Sequence, residues 1–234
     1  MGKIIFIKNN KGGVGKSTIS KNIASGMALG GFKVALVSFD SQNDSLILLG
    51  KEFEGNLGLK ALVTDNEDVK IKVRDNLDYF PLETDVFSSQ LREKLLKTLE
   101  MLKKEYEIIL IDGAPSKDNF LSIAGTEMAD EILVPITLDR LSIKGVSRLL
   151  QAADAEKINY IVPNKYTRGT IEKKIYDELK EFLDETSIYL SEPIQEGAIE
   201  KKLAYSGKSI FETKSKIAQS MQENYLQLIK EVIK

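Results

Sequence analysis

The residues with the clearest chemistry form one run, Lys11-Gly12-Gly13-Val14-Gly15-Lys16-Ser17-Thr18. Glycines let a backbone take conformations closed to other residues and bring its N–H groups close to a phosphate. A helix that starts at such a loop adds the partial positive charge of its N-terminus. Lys16 supplies a full charge suited to β- and γ-phosphates, and the Ser17 hydroxyl is placed to ligate Mg²⁺. Two carboxylates stand at the ends of apolar runs, Asp40 after Val34 to Phe39 and Asp112 after Ile108-Ile109-Leu110-Ile111. The C-terminal end of a parallel strand faces the crevice where ligands bind in open α/β sheets. Taken alone, an aspartate there is as often a turn or cap residue. Beside a phosphate loop, Asp112 reads as the group that holds Mg²⁺ or a water bound to it.

Positioning these groups requires a strand before the loop and a helix after it. Ile4-Ile5-Phe6-Ile7 is a short apolar run that reads as a buried parallel strand. Ile19, Ile23 and Met27, with Ala24 and Ala28, recur at helical spacing, and Gly30-Gly31 stops that helix. Further strands are expected over 33–39, 69–73 (at an edge or on the surface), 77–82, 107–112, 129–136, 160–166 and 187–190. Helices are expected over 88–104, 143–155, 171–183 and 215–233. The last would turn Ile217, Met221, Tyr225, Leu228 and Ile229 toward the core. The alternation persists end to end without repeats or a low-complexity linker. Residues 1–234 are therefore expected to form a single α/β domain, a mainly parallel twisted sheet with helices on both faces in three layers.

Composition narrows the chemistry. The 234 residues are 42% hydrophobic and 29% charged, as in an ordinary globular protein. The net charge of −2 argues against wholesale coating of nucleic acid but leaves room for a local basic patch. With no cysteine, disulfides, thiolate metal sites and iron–sulfur clusters are excluded; with no histidine, so are imidazole triads. No segment is long and apolar enough to span a membrane, and Met1 leads directly into the first strand without room for a signal peptide. A cytoplasmic location is the resulting expectation.

The loop departs from the general G-x-x-x-x-G-K-[ST] pattern. Asn10 stands at the first glycine, and a second lysine, Lys11, opens the loop. This K-G-G-x-G-K-[ST] variant resembles the deviant Walker A loop of the ParA/MinD family of P-loop NTPases. The resemblance extends over nearly the whole chain. Phe39-Asp40-Ser41-Gln42-Asn43 is similar to the family's switch I, D-x-D-P-Q-G-N, with Ser38 in place of its first aspartate and Ser41 in place of its proline. Gly113-Ala114-Pro115-Ser116 resembles its switch II turn, and Val134-Pro135 its A-D-x-x-x-V-P-V strand. Residues 195–212 resemble the family's G-x-S-I-F-E region. The resemblance implies ATP and Mg²⁺ as ligands, on Lys11, Gly12, Gly13, Val14, Gly15, Lys16, Ser17 and Thr18. Asn164 matches the adenine-contacting position, although an ordinary turn asparagine is an equal alternative there. Asp40 is implied to orient the attacking water and touch the Mg²⁺ shell formed with Ser17 and Asp112. Lys11 is implied to cross into a second subunit and contact its nucleotide, so that ATP drives a homodimer.

Among members of the family, those that depend on cysteine are set aside, and no basic amphipathic tail of the MinD type follows the last helix. The best match is a short ParA-type DNA-partition ATPase, nucleoid-associated, without an N-terminal helix-turn-helix domain and without stable membrane insertion. That match implies slow hydrolysis stimulated by a ParB-like centromere-binding protein. It also implies non-specific DNA binding through basic residues, with Lys165, Arg168, Lys173, Lys174, Lys201, Lys202, Lys208, Lys214 and Lys216 as candidates. A MinD-like or other cargo-positioning ATPase shares the same site. An ATP-dependent ligase of the dethiobiotin-synthetase type shares the fold, but Lys11 argues against it.

Overall fold

The computed structural model describes residues 2–84, 87, 89–115, 119–151 and 155–234. Eight strands, β1 (Lys3–Ile7), β2 (Val34–Phe39), β3 (Ile71–Arg74), β4 (Leu77–Phe80), β5 (Ile108–Gly113), β6 (Glu131–Thr137), β7 (Ile158–Asn164) and β8 (Tyr189–Leu190), form one sheet. Their order is β3-β4-β2-β5-β1-β6-β7-β8, and every pair is parallel except the β3–β4 hairpin. The helices are α1 (Lys16–Leu29), α2 (Asp44–Ile47), α3 (Leu59–Asp65), α4 (Arg92–Glu105), α5 (Phe120–Met128), α6 (Ser142–Leu150), α7 (Thr170–Leu183), α8 (Ala198–Tyr205) and α9 (Gln219–Val232).

Alternate residues of the central strands feed two cores. Ile4, Phe6, Val37, Ile109 and Ile111 pack with α3, α4, α5, α6 and α7. Ile5, Ile7, Leu36 and Leu110 pack with α1, α2, α8 and α9 on the other face. A strand covered on both faces has no polar side, and the unbroken aliphatic runs of β1 and β5 follow from that. Both strands sit mid-sheet, so the loops that leave their C-terminal ends lie at the centre of one edge of the molecule. Register places Ile7 beside Asp112 and Ser38 beside Asp112.

Several sequence expectations shift. The helix expected over 88–104 opens with a 3-10 turn, Ser89–Leu91, and becomes α-helical only at Arg92; Ser88 lies outside the described residues. The helix expected over 143–155 is α6, ending at Leu150; 152–154 lie outside the described residues and Ala155 belongs to a 3-10 turn. The last helix begins at Gln219 after a 3-10 turn, Lys216–Ala218. The tighter turn changes the angular phase of its side chains. Ala218 points inward at 0% exposure, and Ile217, expected in the core, is 78% exposed. Met221, Tyr225, Leu228 and Ile229 are buried as expected.

α1 is buried almost all round, because the sheet covers one side and α8 and α9 the other. Its polar residues Ser20, Lys21, Asn22 and Ser25 are therefore inside the protein. The Lys21 side chain is fully buried, with Nζ 2.8 Å from Glu200 Oε1 on α8, and it also donates to the Lys208 carbonyl at 3.2 Å. Asn22 Oδ1 accepts from the Ile210 N–H.

Candidate functional site

The glycine loop joins β1 to α1 at the C-terminal edge of the sheet. Gly13 (φ +75°) and Gly15 (φ +92°) occupy the left-handed region, which costs any other residue strain. Gly15 has a second constraint: a Cβ there would lie 2.1 Å from Asn164 Nδ2. The Asn164 side chain, at the end of β7, is buried and donates to the Val14 carbonyl at 2.9 Å. In this structure it braces the loop from beneath, a contact the sequence did not indicate. Gly12 and Gly13 are exposed, while Ser17 and Thr18 are half-buried at the start of α1.

Lys16 is 7% exposed. Burial pushes its ammonium below the ordinary lysine value, against the opposing pull of Asp112 and Asp40. Asp112 is 1% exposed and accepts from Ser20 Oγ at 3.0 Å. Burial raises its carboxyl to about 6, although hydrogen bonds from Ser45, Ser17 and Ser20 and the charge of Lys16 all work to lower it. A buried carboxylate held this high gains from a cation brought beside it. Among the described residues no cluster of three acidic side chains could form an all-protein metal cage. The donor set Ser17 and Asp112 instead fits an ion such as Mg²⁺, which completes its shell with phosphate oxygens and water.

Asp40 follows β2 and is half-buried. Its Oδ1 accepts from the Gln42 N–H at 3.1 Å. Its backbone is bracketed by Ser38, whose Oγ donates to the Asp40 carbonyl at 2.7 Å and accepts from the Asp40 N–H at 3.2 Å. Ser38 is buried directly beside Asp112 in the β2–β5 register. A second carboxylate at 38 would face Asp112 in a dry site, where like charges oppose one another. The serine keeps the strand end organised without that charge.

Lys11 is exposed, and its Nζ lies 2.5 Å from Asp139 Oδ2, on the loop after β6, and 3.1 Å from Thr137 Oγ1, at the end of β6. Partial burial would raise the Asp139 carboxyl, but hydrogen bonds from Lys11, Thr137 and the Leu141 N–H, with the Lys11 charge, bring it to about 2. The signature lysine is thus held by its own chain.

The family model described as an AAA domain matches residues 2–161, well over half of the chain. This chain belongs to the ParA/MinD family of P-loop ATPases. Soj, the sporulation initiation inhibitor protein of Bacillus subtilis, is 33% identical over 163 residues, 64% of this chain and 64% of its own length. An uncharacterized protein of Methanocaldococcus jannaschii is 31% identical over 208 residues, covering 76% of this chain and 79% of that protein. The match therefore spans just under two thirds of Soj. The fold is shared with apo McdA of Cyanothece (TM-score 0.78, 18% identity, both chains covered completely). It is shared too with MinD in the MinC:MinD complex of Aquifex aeolicus (TM-score 0.79, 21% identity, 98% and 96% covered).

Within this family site, the structure brings Lys16, Ser17, Asp112 and Asp40 around one loop and puts Lys11 at its lip. Ser116 of switch II lies outside the described residues. Lys165, Arg168, Lys173, Lys174, Lys201, Lys202, Lys208, Lys214 and Lys216 are all exposed. They lie on the β7–α7 loop, on α7 and α8, and in the segments before α9. Tyr166 pairs with Gln195, which ties the first of these segments to the approach to α8. Sequence reasoning missed Ser20, Ser45 and Asp139. Ser20 carried a readable signal, a polar residue one turn after Lys16 within the apolar face of α1. Asp139 carried none, since its partner is 128 residues away.

Proposed function

We propose that this chain is an ATP-dependent DNA-segregation ATPase that acts as an ATP-sandwiched homodimer. Lys11 carries this reading: a second cation stands exposed at the lip of a loop whose in-chain charges, Lys16, Asp112 and Asp40, are already assembled. ATP is the substrate. The amides of Gly13, Gly15, Lys16, Ser17 and Thr18 face its phosphates, and Lys16 neutralises the β/γ oxygens. Ser17 and Asp112 would hold Mg²⁺, with Asp40 at its shell. When bound, Mg²⁺ neutralises the charge that builds on the phosphoryl oxygens. Asp40 orients water in line with the γ-phosphate. Lys11 leaves Asp139 and reaches the nucleotide of the second subunit, where its charge stabilises the loose transition state. Asn164 borders the adenine while bracing the loop. With no strong base beside the water, turnover is slow and a ParB-like partner accelerates it.

Residues 1–234 act as one domain in this reading, and the dimer binds DNA non-specifically through the exposed lysines and Arg168. No described helix is long and apolar enough to cross a membrane, and the reading places the protein in the cytoplasm on the nucleoid. The Soj and ParA relatives support it. A second reading, positioning of a cell-division complex, is supported by PomZ of Myxococcus xanthus, 29% identical over 68% of this chain. Binding to liposomes rather than DNA would favour it.

The test is light scattering with ATP, with ADP and with neither, on wild type and Lys11→Ala, followed by DNA binding at two salt concentrations. Wild type is expected to dimerise with ATP alone and to bind DNA only as that dimer, more weakly at the higher salt. Lys11→Ala should do neither. A wild-type protein that stays monomeric and off DNA with ATP would overturn the reading.

A further inference from the structure

A cavity of about 500 Å³ lies between the start of the phosphate loop, β6 and α6. It is lined on the loop side by Lys8 to Lys11 and Val14, and by none of Lys16, Ser17, Asp40, Asp112 or Asn164. Its walls are aliphatic, formed chiefly by Ile132, Val134 and Ile136 of β6 and Val146 and Leu149 of α6. Ile132, Val134 and Val146 are each only 1% exposed and form its packed floor, while Leu141, 70% exposed, stands at its open side. Protein interiors pack densely and leave few voids larger than one water. A cleft of this size with an aliphatic floor and a polar rim has the dimensions and character of a small-molecule site.

Polar groups gather on the loop side and along the rim, and the charged ones are mostly cationic. Lys144 and Arg148 stand one turn apart on α6 at its rim, both exposed, and neither makes a hydrogen bond or ion pair with a described residue. Lys8 lines the loop side with its Nζ donating to Thr126 Oγ1, and Lys11 and Asp139 offset one another as a pair, which leaves Lys144 and Arg148 as the cations at the rim. Asn10 also lines the cavity, and its Oδ1 is buried with no partner. A buried acceptor left in that state costs free energy until something donates to it.

We propose that this cavity binds a small amphipathic acid. Its apolar body fills the space along β6, its anionic head sits at Lys144 and Arg148, and a hydroxyl or N–H on the body donates to Asn10. The site adjoins the nucleotide site, sharing Lys11 and Val14 of the loop with it but none of Lys16, Ser17, Asp40 or Asp112, and binding of an acid there does not rest on the ATPase reading. Its nearness to the Lys11–Asp139 pair gives the ligand a route to influence the loop.

Gly145 provides the control. It lines the cavity from α6, and a Cβ there would meet no atom within 4 Å. A side chain at 145 therefore starts in open space at the cavity wall, where leucine takes up part of the volume, and leucine suits a helix better than glycine. The probe is 8-anilinonaphthalene-1-sulfonate, which joins an aromatic body, an N–H and an anionic head. Wild type should bind it saturably, one per chain, and decanoate should displace it where decanol at equal concentration does not. Gly145→Leu should keep the native circular dichroism, melt no lower than wild type and lose at least tenfold in probe affinity. Lys144→Glu with Arg148→Glu, both at exposed positions, should lose about as much and make the remaining binding insensitive to salt. Binding that never saturates, that survives both variants, or that decanol reverses as well as decanoate overturns the proposal. If Gly145→Leu does not fold, the charge-reversal variant and the decanoate–decanol comparison decide it alone.

Discussion

Glu200→Ala should cost this protein about 3–5 kcal/mol of stability, because it strands a charge that the fold has taken wholly out of water. Lys21 is 0% exposed, and its ammonium lies 2.8 Å from the Glu200 carboxylate. At that distance two unit charges attract by roughly 6 kcal/mol at an effective dielectric constant of 20. Dehydrating the ammonium consumes most of that attraction, so the intact pair is worth little. Removing Glu200 deletes the attraction and leaves the dehydration, with only the Lys208 carbonyl as a partner. For a chain of this size about 2–4 °C accompanies each kcal/mol, so the melting temperature should fall by roughly 6–20 °C. Lys21→Met should cost less, about 1–2 kcal/mol, since Glu200 keeps 16% exposure and can turn toward water. Lys21→Met combined with Glu200→Leu should recover most of what Glu200→Ala loses. The assay is urea unfolding of each variant by far-UV circular dichroism, comparing midpoints at constant slope. A loss below about 1 kcal/mol for Glu200→Ala, typical of a solvated surface pair, would refute the reasoning. So would a double variant as unstable as the sum of the singles.

The Asp139 carboxyl, held at about 2, should titrate far below the ordinary range by NMR and return toward it in Lys11→Ala. Because the folded value is depressed, the pair's stabilisation is present above about pH 4 and is lost as pH falls through 2. Lys11→Ala should therefore destabilise at pH 6 and be neutral at pH 2. Gly15→Ala must adopt a left-handed φ at a cost of about 1–2 kcal/mol and displace Asn164, so a fluorescent ATP analogue should bind at least tenfold more weakly. Ser38→Ala should lower the ATPase rate while ATP affinity changes little, since the hydroxyl steadies Asp40 and not the loop. Ser38→Asp, which restores the residue usual in the family, should lower the melting temperature without Mg²⁺ and regain most of it when Mg²⁺ and nucleotide are added.

What could be read from the sequence was what local pattern enforces. The strand–glycine–helix order around Lys16, the aliphatic run ending in Asp112 and the C-terminal position of Asp40 each follow from a few adjacent residues, and all reappear in the fold. A short edge or surface strand was legible from the alternation of apolar and lysine residues over 69–73, but its antiparallel pairing with β4 was not. What escaped depends on distant partners. Lys21 reads as a solvent-facing lysine until α8 and α9 are seen to cover α1 from outside. Lys11 reads as a free cation until β6 brings Asp139 beside it. Ile217 fits a helical stripe, and only the 3-10 turn that α9 needs to dock turns it outward. Ser38 departs from the family pattern, and its register beside Asp112 supplies a physical reason that no linear motif contains.

The two ends of the sheet carry a further consequence. A parallel sheet that stops abruptly offers a row of unpaired amides on which another chain can add a strand. Here β8 contributes only Tyr189 and Leu190. At the other end β3 is four residues long and its register slips between Lys72 and Arg74. Lys72 there pairs with Asp78, and Arg74 is drawn back over the sheet to Glu212. Neither margin is a straight template. Addition of a strand at either margin is thereby disfavoured, and an association between copies of this chain would have to run through side chains, where a small ligand could make or break it.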